Sequence, residues 1–533
     1  MKNIIKKNIN NALESLNLPI VEYNLQIPKN KENGDLSTNI AFILSKHTKK
    51  NPMQTASTII EELNKSNVFK EINIANPGFI NFTINPDIII ENLNIILDKD
   101  ESYGKNNSGK GKKVLLEFVS ANPTGPLTVG HGRGAILGDS LKRILTWNGF
   151  EVDTEYYYNN AGRQMKKLAE SVEARYLELN NLPYTFPEDG YQGKYIIDIA
   201  QDINNQKITD LNTEDFKKYA EKYIFKQINN TLNKLKIEFN SFFNESDLYK
   251  NKLIDDVVSR LRKQNLVYEK DGATWFEGSK VGRENDRVLI KNTGEPTYRL
   301  PDMAYHVTKF ERGYDLIIDI FGADHMDAYP DVLEVLNQLN YDTKKVKVLI
   351  HQFVSILQNG EVVKMSTRKA NFITLNKLIK EVGVDAVRYF FIMRSMNSHL
   401  NFDLDIAKEK SEKNPVYYIQ YAHARICTIL NKSNFETKNV NLKMLNTKED
   451  ILIINNLINF EEVILKLKDT LEPQILSNYL YDLATKFHKY YAHNRIINDN
   501  VELTKARLLL IKSVKIIIKN GLNILGISAP ESM

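Results

Sequence analysis

Cysteine is almost missing from this chain: its 533 residues include one, Cys427. A lone thiol excludes a disulfide framework and any cysteine-built zinc site. Set among Ile426, Ile429 and Leu430, it is expected to be a buried core thiol. Long apolar runs are missing too; none approaches the ~20 residues that a membrane-spanning helix requires. The basic opening Met1-Lys2-Asn3-Ile4-Ile5-Lys6-Lys7 is broken by Asn and Lys before an apolar signal core can form, so it reads as an amphipathic helix rather than a signal peptide. A soluble, cytoplasmic protein with no membrane partner is expected. Charge of one sign is scarce: 71 Lys and Arg against 66 Asp and Glu leave a net +5, so any nucleic-acid surface must be local. Among nine histidines, His325 and His351 lack acid or cysteine partners at ligand spacing, which argues against a protein-held metal.

Apolar residues are plentiful at 42%, and 26% of residues are charged, which excludes wholesale disorder and collagen-like repeats. At ~100–200 residues per domain, the length suggests about three or four domains. Three blocks emerge. Residues 1–108 mix helical patterns with the alternating stretch Gly78 to Ile84 and close in the polar run Tyr103 to Gly109, of the kind that links domains. Residues 112–395 alternate β-rich runs (Val114–Val119, Leu316–Phe321, Val346–Ile350) with helical ones, which argues for a parallel sheet covered by helices. Within them, about 160–265 is polar and helical and looks like an insertion. Residues 396–533 are helix-periodic, as at Tyr417-Tyr418-Ile419 and Leu508 to Ile511, and predict an all-α bundle.

Two glycine motifs mislead. Gly104 to Lys110 nearly matches a phosphate-cradling loop, but Gly111 stands where a hydroxyl should hold magnesium, and the segment precedes a strand. Gly130-His131-Gly132-Arg133-Gly134 follows a β run, opens a helix at Ile136–Leu145, and has Asp153 beyond it. That fits a dinucleotide fingerprint and keeps an NAD-dependent oxidoreductase open as a remote alternative. Against it, ten residues separate Ser120 from Gly130, where the fingerprint wants a tight turn.

As a whole, Glu117 to Gly134 is a strand ending in polar groups, then a Pro/Gly loop, then a helix start carrying His131. Free N–H groups at a helix start suit a triphosphate, and a histidine can donate to a phosphate oxygen. Far downstream, Asn359-Gly360 marks a hairpin, followed by Lys364-Met365-Ser366-Thr367-Arg368-Lys369. This cationic loop can close over polyphosphate as the α-phosphorus is attacked.

Together the two pieces resemble the "HIGH" and "KMSKS" motifs of class I aminoacyl-tRNA synthetases. Glu117 to Gly134, Tyr298 to His306, Gly322-Ala323-Asp324-His325 and the terminal Ser528 to Met533 look like the arginyl-tRNA synthetase family. Val384-Asp385-Ala386-Val387-Arg388 is similar to the "DALR" element that names that family's anticodon-binding domain. The resemblance covers essentially the whole chain. It implies an α/β fold class: a Rossmann-type parallel-sheet catalytic core with an N-terminal α+β domain that touches the tRNA elbow and a C-terminal all-α helical bundle for the anticodon. It implies ATP-dependent joining of L-arginine to tRNA(Arg), with Mg2+ borne by ATP, no protein-bound metal or organic cofactor, no DNA partner and a monomer. By that resemblance His131, Gly130, Thr128, Gly132, Gly322, Asp324, His325 and Met365 sit on ATP, and Lys364 and Ser366 on the mobile loop. Glu117, Ser120, Asn122, Tyr298 and Asp302 surround arginine. Tyr298 and Asp302, four apart, would face one pocket on a helical turn, and a carboxylate is the natural bidentate partner of a guanidinium. Asn81, Tyr421 and Met533 are expected against tRNA, Tyr421 by stacking on unpaired bases.

Two residues depart from the motifs. Thr128 stands at the first "HIGH" position, where histidine is usual, and Thr367 stands where a second lysine is common. A class I synthetase for another amino acid, or a non-catalytic RNA-binding relative, therefore stays open on sequence alone.

Overall fold

The computed structural model describes the chain except at residues 1, 27, 29, 161, 207–210, 324–325, 364–372, 434 and 437–439. At its centre lies a five-stranded, wholly parallel sheet in the spatial order Val346–His351, Leu316–Gly322, Lys113–Glu117, Glu151–Tyr158, Ser241–Asn244. Val114, Leu115, Leu116, Ile317 and Ile318 are all fully buried, as expected of parallel strands covered on both faces. The chain enters at the central strand, builds outward on one side, then returns to build the other. The two directions part between Lys113–Glu117 and Leu316–Gly322, and a crevice opens beyond the carboxyl ends of those strands.

The stretch read as a polar, helical insertion also supplies the edge strand Ser241–Asn244. Four residues are too few for a period to show in sequence. It is followed by a small antiparallel sheet of Val267–Lys270, Ala273–Phe276 and Arg287–Ile290. The N-terminal region carries a four-stranded antiparallel sheet, with Phe79–Ile84 between Leu36–Thr38 and Phe69–Ala75. The C-terminal helices are Pro415–Lys432, Lys448–Ile458, Phe460–Thr470, Gln474–His493 and Val501–Ile524. Ahead of them, Leu400–Asp403 is a strand, paired parallel with Val354–Gln358, so the third block begins with β structure. No helix among the described residues is long and apolar enough to cross a membrane.

One arginine ties these parts together. Arg388, fully buried in helix Val384–Ile392, donates to Leu525 O (2.9 Å), near the end of the last helix, and to Leu235 O (2.9 Å), in the insertion. It also pairs with buried Asp139 of helix Val129–Trp147. Gly526 makes room for it: a side-chain carbon there would stand 2.3 Å from Arg388 Nη2. Removing one partner of a buried pair strands the other charge, at a cost of about 3–5 kcal/mol. Arg388→Met is expected to lower the urea midpoint of unfolding accordingly; an unchanged midpoint would show that the pair holds nothing together.

Candidate active site

The left wall of the crevice begins where strand Lys113–Glu117 runs out. Val119 (φ 71°) and Ser120 (φ 40°) follow, two consecutive non-glycine residues in the left-handed region, which for β-branched Val119 is a strained conformation. Several bonds hold the turn. Ser120 N donates to Phe118 O (3.0 Å), Ser120 Oγ donates to Glu117 Oε1 (2.8 Å), and Tyr157 N donates to Ser120 Oγ (3.1 Å). Further along the loop, Asn122 Nδ2 donates to Gln164 Oε1 (2.8 Å).

The helix after this loop starts at Val129 rather than Ile136, so Gly130 to Gly134 lie inside its first turns instead of ahead of it. Thr128 is its N-cap. Thr128 N donates to His131 Nδ1 (3.2 Å), with Thr128 Oγ1 at 3.4 Å. Using Nδ1 as an acceptor assigns the ring proton to Nε2, a donor. A side-chain carbon at Gly130 would make only an ordinary contact, with Thr128 Oγ1 at 3.7 Å. At Gly132 one would meet Leu375 at 2.6 Å and Phe391 at 3.3 Å. Gly132 packs closely against the helices Leu375–Val382 and Val384–Ile392.

The opposite wall is the helix Arg299–Glu311, preceded by Tyr298. Tyr298 is 67% exposed and lines a cleft of about 730 Å3 with Trp275, Arg287, Lys291 and Arg299. Asp302, in the first turn, is bonded inward, its Oδ1 3.0 Å from His306 Nδ1, and keeps 31% of its side chain exposed. The four-residue spacing therefore places both at the start of one helix, with Tyr298 opening on the cleft and Asp302 held towards the sheet.

Behind Asp302 runs a buried chain of charge. His306 Nε2 meets Asp319 Oδ2 (3.0 Å), Lys309 Nζ meets Asp319 Oδ1 (2.6 Å), and Lys309 Nζ meets Glu117 Oε2 (2.6 Å). Glu117 and Asp319 are direct partners on adjacent strands, so two carboxylates stand side by side with one ammonium between them. Burial, together with Asp319, pushes Glu117 up. Burial also acts on Asp319, yet Lys309 and His306 hold it well below the usual carboxylate range. Burial and Lys309 press His306 downward, but Asp302 and Asp319 outweigh them and raise it to about 10, so it is charged at neutral pH. A second carboxyl, Glu245, accepts from Tyr157 Oη (3.0 Å) and is pushed up by burial and by Asp302. Both Oε atoms of Glu117 are engaged, by Ser120 and by Lys309, and each oxygen keeps a second lone pair.

Lys309, His306, Asp319 and Glu245 were not among the expected site residues. A signal existed for two of them: with the expected Asp302, His306 and Lys309 recur at i, i+4 and i+7 between Met303, Ala304, Tyr305 and Val307, a charged stripe on a buried helix face. The four residues Ser241–Asn244 gave no such clue to Glu245, which directly follows them.

Gly322 ends its strand in register with His351, at the crevice. Asp324, His325, Lys364, Met365 and Ser366 lie outside the described residues. Asn81 is only 6% exposed, in register with Ser37 and Asn73 at the middle of its sheet; sheet packing covers the side chain expected to meet RNA. Tyr421 is 37% exposed, stacked on Tyr417, and accepts from Arg425 Nη2 (2.7 Å). Met533 is half exposed. Cys427 is buried, its Sγ 3.8 Å from His423 Nδ1.

Three family models match the chain: "Arginyl tRNA synthetase N terminal domain" over 3–84, "tRNA synthetases class I (R), catalytic domain" over 92–399, and "DALR anticodon binding domain" over 419–533. The Val384 to Arg388 element lies in the catalytic range, ahead of the anticodon-binding match. The arginine–tRNA ligase of Desulfotalea psychrophila is 48% identical over 523 residues, covering 96% of this chain and 95% of that protein. That of Salinibacter ruber is 44% identical, covering both chains fully. The Thermus thermophilus arginyl-tRNA synthetase structure superposes over the full length of both chains with a TM-score of 0.79 at 21% identity, a likeness of fold. A dinucleotide-dependent oxidoreductase is set aside by matches of this length, and the chain belongs to the arginyl-tRNA synthetase family of the class I aminoacyl-tRNA synthetases.

Proposed function

We propose that this chain is an arginine–tRNA ligase. The carboxylate of L-arginine attacks the α-phosphorus of ATP, pyrophosphate leaves with its Mg2+, and a hydroxyl of the terminal adenosine of tRNA(Arg) then displaces AMP from the arginyl carbonyl carbon. The observation that carries the reading is Asp302: of the carboxylates in the buried charge chain, it alone stays partly open to solvent. It sits beside the switch point with Glu245 close enough to feel its charge. Two acidic groups at one mouth suit a planar cation with paired donors. A neutral amino acid would leave those groups unpaired, a penalty that binding cannot recover.

On the ATP side, His131 Nε2–H and the N–H groups of the capped helix start face the developing charge on the α-phosphate, with Gly130 open for close approach and Gly322 across the crevice. Asp324, His325 and the loop residues Lys364, Met365 and Ser366 complete the nucleotide's surroundings. Ser120, Asn122 and Tyr298 border the amino acid. The Tyr298 cleft suits the approaching tRNA end. Arg283, Arg287 and Arg299 converge on the single buried carboxylate of Asp331 at 3.1, 3.0 and 3.1 Å, leaving excess positive charge beside half-buried Trp275 and exposed Tyr298. Cation and aromatic together are what single-stranded RNA binds. Residues 1–108 would meet the tRNA elbow and 396–533 the anticodon, with Tyr421 as a stacking platform and Met533 at the bundle's surface, while 112–395 does the chemistry. The protein acts as a cytoplasmic monomer with no cofactor besides Mg2+ carried by ATP, and with no DNA or membrane partner.

ATP–pyrophosphate exchange with each standard amino acid, with and without total tRNA, tests this. Exchange with arginine alone, and only with tRNA present, is expected; exchange with a different amino acid would overturn the pocket, and none at all would overturn the enzyme. His131→Ala is expected to cut the arginine-dependent rate by about 10²–10³ with the fold intact. A rate near wild type would remove the phosphate contact. Asp302→Asn is expected to raise KM for arginine by ~100-fold or more while KM for ATP moves by about twofold; equal shifts in both would take Asp302 out of the guanidinium site.

A further inference from the structure

His306 is buried one helical turn below Asp302, and both of its ring nitrogens face groups that only accept. Nδ1 stands 2.9 Å from Asp302 O and 3.0 Å from Asp302 Oδ1, while Nε2 stands 3.0 Å from Asp319 Oδ2. A carbonyl oxygen has no proton to give, and Asp319, despite its burial, is kept ionised by Lys309 on its other oxygen. Each ring nitrogen must therefore carry a proton, which makes the side chain an imidazolium. Burying such a charge is costly unless it is paired. Its partner on the crevice side is Asp302, which keeps 31% of its side chain exposed. Among the described residues, none donates to Asp302 Oδ2.

We propose that His306 is a positioning residue for arginine recognition: anchored on Asp319, it pins Oδ1 of Asp302 and leaves Oδ2 to take the guanidinium. The carboxylate then meets its substrate already ordered. Without the imidazolium, Asp302 is free to turn among staggered rotamers, and arginine must order it on binding, at the expense of affinity. The other charged groups around the ring are already engaged. Lys309 is bonded to Glu117 and Asp319, Arg299 to Asp331, Arg312 to Glu155, and Tyr157 to Glu245. The helix start that would hold ATP depends on Thr128 and His131 and makes no use of His306, so the effect falls on the amino acid. The inference rests on the proposed reading of Asp302 as a guanidinium acceptor.

The test uses the shapes of two amides. The side-chain nitrogen of asparagine can overlie Nδ1 of a histidine, and that of glutamine Nε2. His306→Asn thus keeps a donor towards Asp302 and drops Asp319, whereas His306→Gln keeps Asp319 and drops Asp302. Pyrophosphate exchange is measured with tRNA present, titrating arginine and ATP separately. His306→Gln is expected to raise KM for arginine by about tenfold or more and His306→Asn by about threefold at most, with KM for ATP within about twofold in both. Combined with Asp302→Asn, His306→Gln is expected to add less than about twofold to the loss from Asp302→Asn alone, because it acts through that residue. A histidine that only fills the core predicts the reverse order, since asparagine leaves the larger cavity. Equal or reversed losses, a matching rise for ATP, or full additivity overturn the proposal. If His306→Gln fails to fold, His306→Leu, which gives up both donors, takes its place with the same expected values. A wild type that exchanges with a different amino acid, or an unmoved KM for arginine in Asp302→Asn, overturns the Asp302 reading and this inference with it. An unmoved His306→Gln beside a damaged Asp302→Asn overturns the inference alone.

Discussion

Two carboxylates placed side by side on adjacent parallel strands set the terms for the whole centre of this molecule. Glu117 and Asp319 are register partners at the point where the sheet's winding reverses, and in a fully buried setting their mutual repulsion is intolerable without a cation. Lys309 supplies it from a helix that crosses above both strands, and that helix is thereby fixed in rotation as well as position. His306, one turn earlier, then meets Asp319, and Asp302, another turn back, meets His306 at the crevice. The geometry of Asp302 at the crevice is thus inherited from a charge balance made well below the surface.

The same device recurs elsewhere at larger scale. Arg388 lies where the catalytic helix Val129–Trp147, the insertion and the last helix of the bundle converge, and satisfies an acceptor from each. Arg133, also fully buried, donates to the carbonyls of Gln352, Ser395 and Ser398, which flank the strand leading to the cationic loop. Because a buried guanidinium is costly unless its donors are met, each of these arginines forces several segments into one arrangement. The helix carrying His131 is held in this way near its start, through Arg133, and at its middle, through Asp139. Gly132 and Gly138 let it approach Leu375 and Phe118 so closely that no side chain would fit.

Much of the architecture was legible in the linear chain. Continuous apolar runs such as Val114 to Leu116 announced a sheet buried on both faces, and the motif pair around His131 and Lys364 announced nucleotide chemistry, because each is a local pattern with a local physical cause. The extent of single elements was less legible. Gly130 to Gly134 reads as a loop since glycine is a poor helix former, yet tertiary contacts with Leu375, Phe391 and His351 demand small residues there and carry the helix through them. Asn81 reads as a surface group by its chemistry and is covered because its strand lies between two others.

The sequence by itself determined the fold class, the family, and which residues carry reactive or charged side chains at the strand ends and helix starts. Periodicity and motif spacing act over a few residues and need no partner to be read. Only the tertiary structure decided what those side chains do. It joined Glu117 to Ser120 and Asp319 through shared partners, gave Thr128 the work of a cap, brought in Lys309 from 192 positions away in the chain, and bent Val119 and Ser120 into a conformation neither prefers. The reason is that charge balance and backbone strain are settled between segments distant in sequence. A carboxylate's role depends on which cation the fold lays beside it.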